Sequence, residues 1–145
     1  MAKATYPYVG FPLPSNEAHP EGRTAFRPLA FATITASNGQ SLRWLVLPGS
    51  GADSCLFPLT LAILLKLDVL KLPKTTTRGV GSASNLTYFD NVAVDLGNGI
   101  SFKSYVGFTE GMDQVGLGLL GQEGFFEYYR VEFMYSEKSF TISTI

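Results

Sequence analysis

The sequence predicts a mainly β domain, in which short strands form a barrel or a sandwich with one or two short helices. Apolar and polar residues alternate in several short runs, and a period of two residues is typical of half-buried strands. Turn-forming segments separate these runs, most clearly Asn38-Gly39 and Gly97-Asn98-Gly99. The length of 145 residues and the hydrophobic fraction of 46% suit one domain with a core of its own.

Two parts of the chain differ in composition. Residues 1–24 are rich in proline, glycine and polar residues, and this predicts an irregular N-terminal arm. The domain itself is predicted over residues 25–145. Within it, strands are predicted over residues 29–35, 41–47, 75–77, 88–96, 100–108, 117–120, 131–135 and 140–145. Short helices are predicted over residues 58–66 and 122–129, and the glycine-rich segment 48–52 is predicted to be a loop.

Charge and cysteine content exclude several classes of function. The net charge is -1 and the isoelectric point is about 5.8, so no basic surface for nucleic acid is predicted. The longest apolar run, residues 59–70, is interrupted by Lys66 and Asp68 and is too short to span a bilayer. Cys55 is the single cysteine, so no intrachain disulfide can form. These features predict a soluble cytoplasmic protein that binds neither membrane nor nucleic acid and carries no cofactor.

Three isolated signals favour structural roles over chemical ones. The segment 116–121 fits the letters of a G-x-G-x-x-G nucleotide motif, but only a short β tail follows it, which favours a buried strand and a turn. His19 is the single histidine and lies in the predicted arm, so a histidine-based triad or metal site is not indicated. Cys55 stands in apolar company and is predicted to be a core residue.

Four features follow one another in an order that identifies a family. An apolar strand runs into LVLPGSGADSCLFP (45–58), and a threonine-rich strand reaches a glycine tip in TTTRGVGS (75–82). A hairpin of alternating residues comes next, followed by GLLGQEGFFEYYRVEFMYSEKSFTI (118–142). This order resembles that of the retropepsin-like aspartic proteases, specifically the small single-domain bacterial ones. The resemblance covers residues 26–145 and implies their acid-protease barrel.

The resemblance places a glycine at the catalytic position. Aligning Ser50, Gly51, Ala52 and Asp53 with the Thr/Ser-Gly-Ala-Asp of the family puts Gly49 where the catalytic aspartate stands. In the family, each subunit of a homodimer supplies one aspartate, and the two carboxylates share a proton while one of them activates water. Glycine has no titratable group, so the resemblance implies an impaired or inactive enzyme.

Neighbouring residues also depart from the family pattern. Pro48 stands where an apolar residue is usual, and Gln122 stands where an arginine often follows the Leu-Gly pair. Both changes suggest natural drift of the site.

The resemblance also implies a binding cleft and a dimer. In the family, the position of Asp53 contacts the main chain of bound peptides or pairs with the arginine that Gln122 replaces here. Gly79, Val80 and Gly81 align with the tip of the flap that closes over the peptide. A peptide or protein segment is therefore the expected ligand. The last strand, 140–145, is predicted to be an unprotected edge. In the family, terminal strands of two chains interleave there, which implies a homodimer.

Three functions remain open from the sequence. The first is an inactive or impaired retropepsin-like domain that keeps the cleft and binds peptides. The second is an active aspartic endopeptidase that works as a homodimer, either through an unusual carboxylate such as Asp53 or because Gly49 is an engineered replacement. The third is a small structural or regulatory module without a ligand. Peptide binding without cleavage would support the first function, and peptide cleavage would support the second. Absence of both would support the third.

Overall fold

A computed structural model of the chain describes residues 2–78 and 84–145. Within these residues the strands are β1 Lys3–Pro7, β2 Val9–Leu13, β3 Arg23–Arg27, β4 Ala30–Ala36, β5 Ser41–Pro48, β6 Leu56–Pro58, β7 Lys74–Arg78, β8 Ser84–Asp95, β9 Ser101–Thr109, β10 Gly118–Leu120, β11 Tyr129–Met134 and β12 Ser139–Thr144. One α-helix, α1 Leu59–Leu64, lies among them, with short 3₁₀ segments at Val69–Lys71, Glu110–Met112 and Tyr135–Glu137. No helix in this part of the chain is long and apolar enough to cross a membrane.

Six of the strands close into a barrel. The hydrogen-bonded order is β4-β5-β10-β6-β9-β8, and β4 pairs with β8 to complete the ring, while β7 extends the sheet from β8. The short strand β10 lies parallel to β5 and antiparallel to β6, so its neighbours hold it on both sides. The prediction of a mainly β domain with a barrel of short strands is confirmed.

Large apolar side chains from the barrel strands, α1, β12 and the connecting segments form one core. The largest fully buried ones are Phe57, Phe108, Phe125, Phe140, Leu29, Ile34, Leu61, Leu65, Ile100, Leu120, Ile142 and Val46. Every second residue of β4 is buried, as the alternation in the sequence predicts. The core is therefore continuous from the start of β4 to the end of β12.

The prediction that residues 1–24 are irregular is wrong for residues 3–13, which form two strands, whereas residues 14–22 have no helix or strand. Strand β1 pairs antiparallel with β12, and β2 forms a hairpin with β3. Ala4 and Tyr6 alternate with exposed residues, and the ring of Tyr6 stacks on Phe140 with centroids 5.3 Å apart. This alternation over five residues was hidden by the many prolines and glycines that follow it. Burial of these side chains against β12 explains why the segment is ordered.

The prediction that residues 140–145 form an unprotected edge is also wrong. Strand β12 is the central strand of a three-stranded sheet, with β1 on one side and β11 on the other. The N-terminal strand β1 of the same chain therefore pairs with the backbone N–H and C=O groups of β12 that were expected to lie at an open edge. The open edges of this sheet are β1 and β11.

The two helix predictions had different outcomes. The helix predicted over 58–66 is confirmed as α1, although it is shorter. The helix predicted over 122–129 is wrong, because this segment is a series of turns before β11. Gly124 has a φ of +95°, which is incompatible with a right-handed helix. The aromatic residues at helical spacing still pack inward, and Phe125 stacks on Tyr129 with centroids 5.4 Å apart.

Candidate functional site

The loop 49–53 directly follows Pro48, the last residue of the barrel strand β5. Gly49 donates its backbone N–H to the carbonyl of Leu120 over 2.9 Å, which continues the pairing of β5 with β10 by one residue. Ala52 then donates to the carbonyl of Gly49 over 3.1 Å and closes a tight turn. Ser50 and Gly51, at the tip of this turn, are exposed. Two backbone hydrogen bonds therefore hold the start of the loop at the end of the parallel pair β5 and β10.

Residues 121–123 hold the other side of the loop. Gln122 donates its backbone N–H to the carbonyl of Ala52, and Glu123 donates to the carbonyl of Asp53, each over 2.8 Å. The side-chain amide of Gln122 donates a further hydrogen bond to the carbonyl of Ser50. Gln122, which the resemblance marked as a departure, therefore anchors the loop through its side chain.

The backbone at Gly49 is compatible with other residues. Its φ lies outside the left-handed region that favours glycine, and a Cβ built there would meet Leu119 Cδ2 at 3.5 Å. This distance is an ordinary van der Waals contact. The fold therefore does not require a glycine at position 49, and a side chain there would project beside Leu119.

Asp53 is the carboxylate of the loop itself, and its side chain is exposed. No hydrogen bond or ion pair of this side chain is found within residues 2–78 and 84–145. In the same ranges, no group of three or more histidine, cysteine, aspartate or glutamate residues could hold a metal ion. The loop therefore presents one free carboxylate to solvent, without a neighbour of the kind that a metal site needs.

Strands β7 and β8 pair antiparallel and lie on either side of the segment in which the flap tip is predicted. Arg78 lies opposite Ser84 at the outer end of its ladder. The predicted tip residues Gly79, Val80 and Gly81 lie outside the described residues. One residue inside this end, Thr77 and Thr87 form a hydrogen bond of 2.7 Å between their hydroxyls across the two strands. Strand β8 of this pair and β5, which leads into the loop 49–53, belong to the same barrel.

Cys55 connects the loop to the turn that anchors it. Its side chain is fully buried, and its sulfur accepts the N–H of Gly121 at 3.3 Å and donates to the carbonyl of Glu123 at 3.7 Å. Burial raises the pKa of the Cys55 thiol above its ordinary value of 9.0, although hydrogen bonds with Gly121 and Ser104 oppose the shift. The core role predicted for this residue agrees with its position.

The raised pKa of Cys55 predicts a loss of stability at alkaline pH. As pH rises above about 9, the thiol ionises in the unfolded chain while it stays protonated in the folded one, so the unfolding free energy falls. Urea unfolding at about pH 8 and about pH 9.5 measures this change. Below pH 9 the protonated thiol of Cys55 makes its full contribution to the unfolding free energy. The variant Cys55→Ala has no thiol, and we expect a smaller fall over the same interval. Equal falls in the two proteins would contradict the prediction.

Comparisons with known proteins agree with this architecture. No protein-family model and no curated protein sequence matches the chain. Among solved structures, a retropepsin-like aspartic protease from Rickettsia conorii is similar to it, with a TM-score of 0.54 and 16% sequence identity. The match covers 92% of this chain and 98% of the other. At this identity the similarity shows the fold alone, and that fold is retropepsin-like.

Proposed function

We propose that this chain, which has a retropepsin-like fold, binds an extended peptide segment and does not hydrolyse it. One observation carries the proposal. Gly49 is the first residue of the exposed loop after β5, where it donates a hydrogen bond to Leu120, and it has no carboxyl group. In the family pattern, this position holds the catalytic aspartate. The proposal includes a homodimer with the two loops facing each other across a two-fold axis.

The chemistry of peptide hydrolysis explains why the glycine matters. Two carboxylates must lie close enough to share one proton, so that one acts as acid and the other as base. Asp53 is the remaining carboxylate of the loop, but it lies four residues beyond Gly49. Its backbone is fixed by the hydrogen bond from Glu123. In our proposal Asp53 contacts the main chain of the bound peptide and takes no part in proton transfer.

Surface properties of the loop and, separately, of strand β8 support the proposed peptide binding. The tip residues Ser50 and Gly51 expose backbone, and a side chain at Gly51 would meet no atom within 4 Å. Leu86, on the hairpin strand β8, is 48% exposed. An extended peptide needs main-chain partners along its length and apolar surface for alternate side chains. The loop and the hairpin together offer both.

Peptide titration tests the proposal. A library of short unstructured peptides is selected on the immobilised protein, and the strongest binder is titrated into ¹⁵N-labelled protein. We expect amide shifts in residues 49–53 and at the hairpin β7–β8. Asp53→Ala should weaken binding by about 10- to 150-fold, because a hydrogen bond to a charged group contributes about 1.5–3 kcal/mol. The control Asp68→Ala removes an exposed carboxylate that pairs with Lys71, and it should leave affinity unchanged.

Each of the other outcomes opposes the proposal. Failure of the library to yield any binder would favour a structural module. Binding that shifts residues elsewhere, or that Asp53→Ala leaves intact, would remove the loop from the binding surface. Cleavage of the bound peptide would favour the active endopeptidase.

A further inference from the structure

A cavity of about 470 Å³ lies next to the loop but uses other residues. Ser54, which follows the loop, forms part of its wall, together with the first residues of β7, the middle of β8 and β9, and the turn 123–128. None of the residues 49–53 lines it. Its volume is in the range of small-molecule sites, roughly 300–1,000 Å³. The cavity is therefore large enough for a ligand of its own.

One wall of the cavity is aromatic. Phe89 of β8 stacks on Tyr105 of β9, with ring centroids 5.3 Å apart and planes inclined by 24°. Tyr128 lines the cavity from the turn 123–128 and is 55% exposed. Such rings offer a flat apolar surface at little cost in conformational entropy. An aromatic or other apolar side chain of a ligand would pack against them.

Charges of both signs line the same cavity. Lys74 and Lys103 lie on the β-strand side, and Glu123 and Glu127 lie on the turn. The single ion pair among residues 2–78 and 84–145 is that of Lys71 with Asp68, so these four groups do not neutralise one another within 4 Å. Glu127 accepts a hydrogen bond from the N–H of Gly124, which fixes one of its oxygens at 2.8 Å. The cavity thus presents separate cationic and anionic partners.

Ser104 supplies a buried polar group. It lines the cavity and is only 4% exposed. Its hydroxyl oxygen is turned into the protein, where it lies against Gly124 and next to the Cys55 thiol. The ligand contacts of the cavity therefore come from its aromatic and charged side chains.

We propose that this cavity binds a short zwitterionic peptide of about two or three residues, with free ends and an aromatic side chain. The terminal carboxylate meets Lys74 or Lys103, the terminal ammonium meets Glu123 or Glu127, and the ring packs on Phe89 and Tyr105. The site goes beyond the proposed function, because none of the residues 49–53 lines the cavity. It does not depend on Gly49 or on a dimer.

Titration calorimetry with glycyl-phenylalanine tests the site. We expect binding with a Kd below about 1 mM, and at least tenfold weaker binding of the N-acetylated, C-amidated dipeptide. Lys103→Gln and Glu123→Gln should each weaken binding of the free dipeptide by about tenfold. The controls Lys66→Gln and Glu110→Gln change charges outside the cavity and should have no effect. Equal binding of the two dipeptides, no measurable binding, or insensitivity to Lys103→Gln and Glu123→Gln would each overturn the proposal.

A variant of the loop separates the two proposed sites. Asp53→Ala, which tests the loop, should leave the titration with glycyl-phenylalanine unchanged. Failure of peptide binding at the loop and failure at the cavity are therefore distinguishable.

Discussion

Replacing Gly121 with alanine is expected to lower the free energy of unfolding by about 3 kcal/mol. A Cβ on Gly121 would lie 2.6 Å from the carbonyl carbon of Ser54 and 2.7 Å from the carbonyl oxygen of Ala52. These are backbone atoms of the loop and its exit, so no side-chain rotation relieves the overlap. The loop must move away from residues 121–123, and the hydrogen bonds that Gln122 and Glu123 donate to it are lost or lengthened. Urea unfolding of both proteins measures the loss.

Gly51→Ala is the matched control for this change. Gly51 lies in the same loop, its φ is outside the left-handed region, and a Cβ there would meet no atom within 4 Å. We expect its free energy of unfolding to stay within about 0.5 kcal/mol of the original. If Gly121→Ala were as stable as Gly51→Ala, the close packing of the loop against residue 121 would be refuted.

Gly49→Asp is expected to create proteolytic activity at mildly acidic pH. The change adds the carboxyl group that the family pattern has at this position, and the space beside Leu119 admits it without backbone strain. In a dimer, the two new carboxylates would share one proton, so activity requires one ionised and one protonated group. Activity should therefore fall on both sides of an acidic optimum. Cleavage of an unfolded protein substrate across pH 3–7 measures it.

The control for this gain of activity is Gly49→Asn, which has nearly the same size and does not titrate. It should remain inactive, while its stability and that of Gly49→Asp stay within about 1 kcal/mol of the original. Sedimentation at the assay concentration reports whether each variant is a dimer. A dimeric, folded and inactive Gly49→Asp protein would contradict the alignment of residue 49 with the catalytic position.

Local patterns explain how much of the fold the sequence predicts. Strands β4, β5, β8 and β9 contain alternating residues next to strong turns, and these are local signals that one sequence carries. Strand β1 was missed because its alternation covers only five residues and its partner β12 lies at the far end of the chain, so no hairpin signal accompanies it. The helix predicted over 122–129 failed because a pattern of apolar residues says nothing about the φ of Gly124.

The candidate site was likewise predictable only where its residues are contiguous in the sequence. The loop 49–53 is contiguous, so its resemblance to a known pattern could be recognised from letters alone. The anchoring role of Gln122 is a contact with Ser50 across 72 positions, and only the structure shows it. The cavity is assembled from several separate segments, and Ser104, its buried hydroxyl, sits in an ordinary strand pattern. No spacing in the sequence predicts that these residues meet.

The central claim is that this retropepsin-like domain binds peptides without cleaving them. The most direct measurement incubates the unmodified protein with its selected peptide between pH 3 and pH 7 and follows the peptide by mass spectrometry. We predict that the peptide stays intact at every pH while it remains bound. Cleavage that pepstatin inhibits and that Asp53→Asn abolishes would contradict the account and assign the reaction to Asp53.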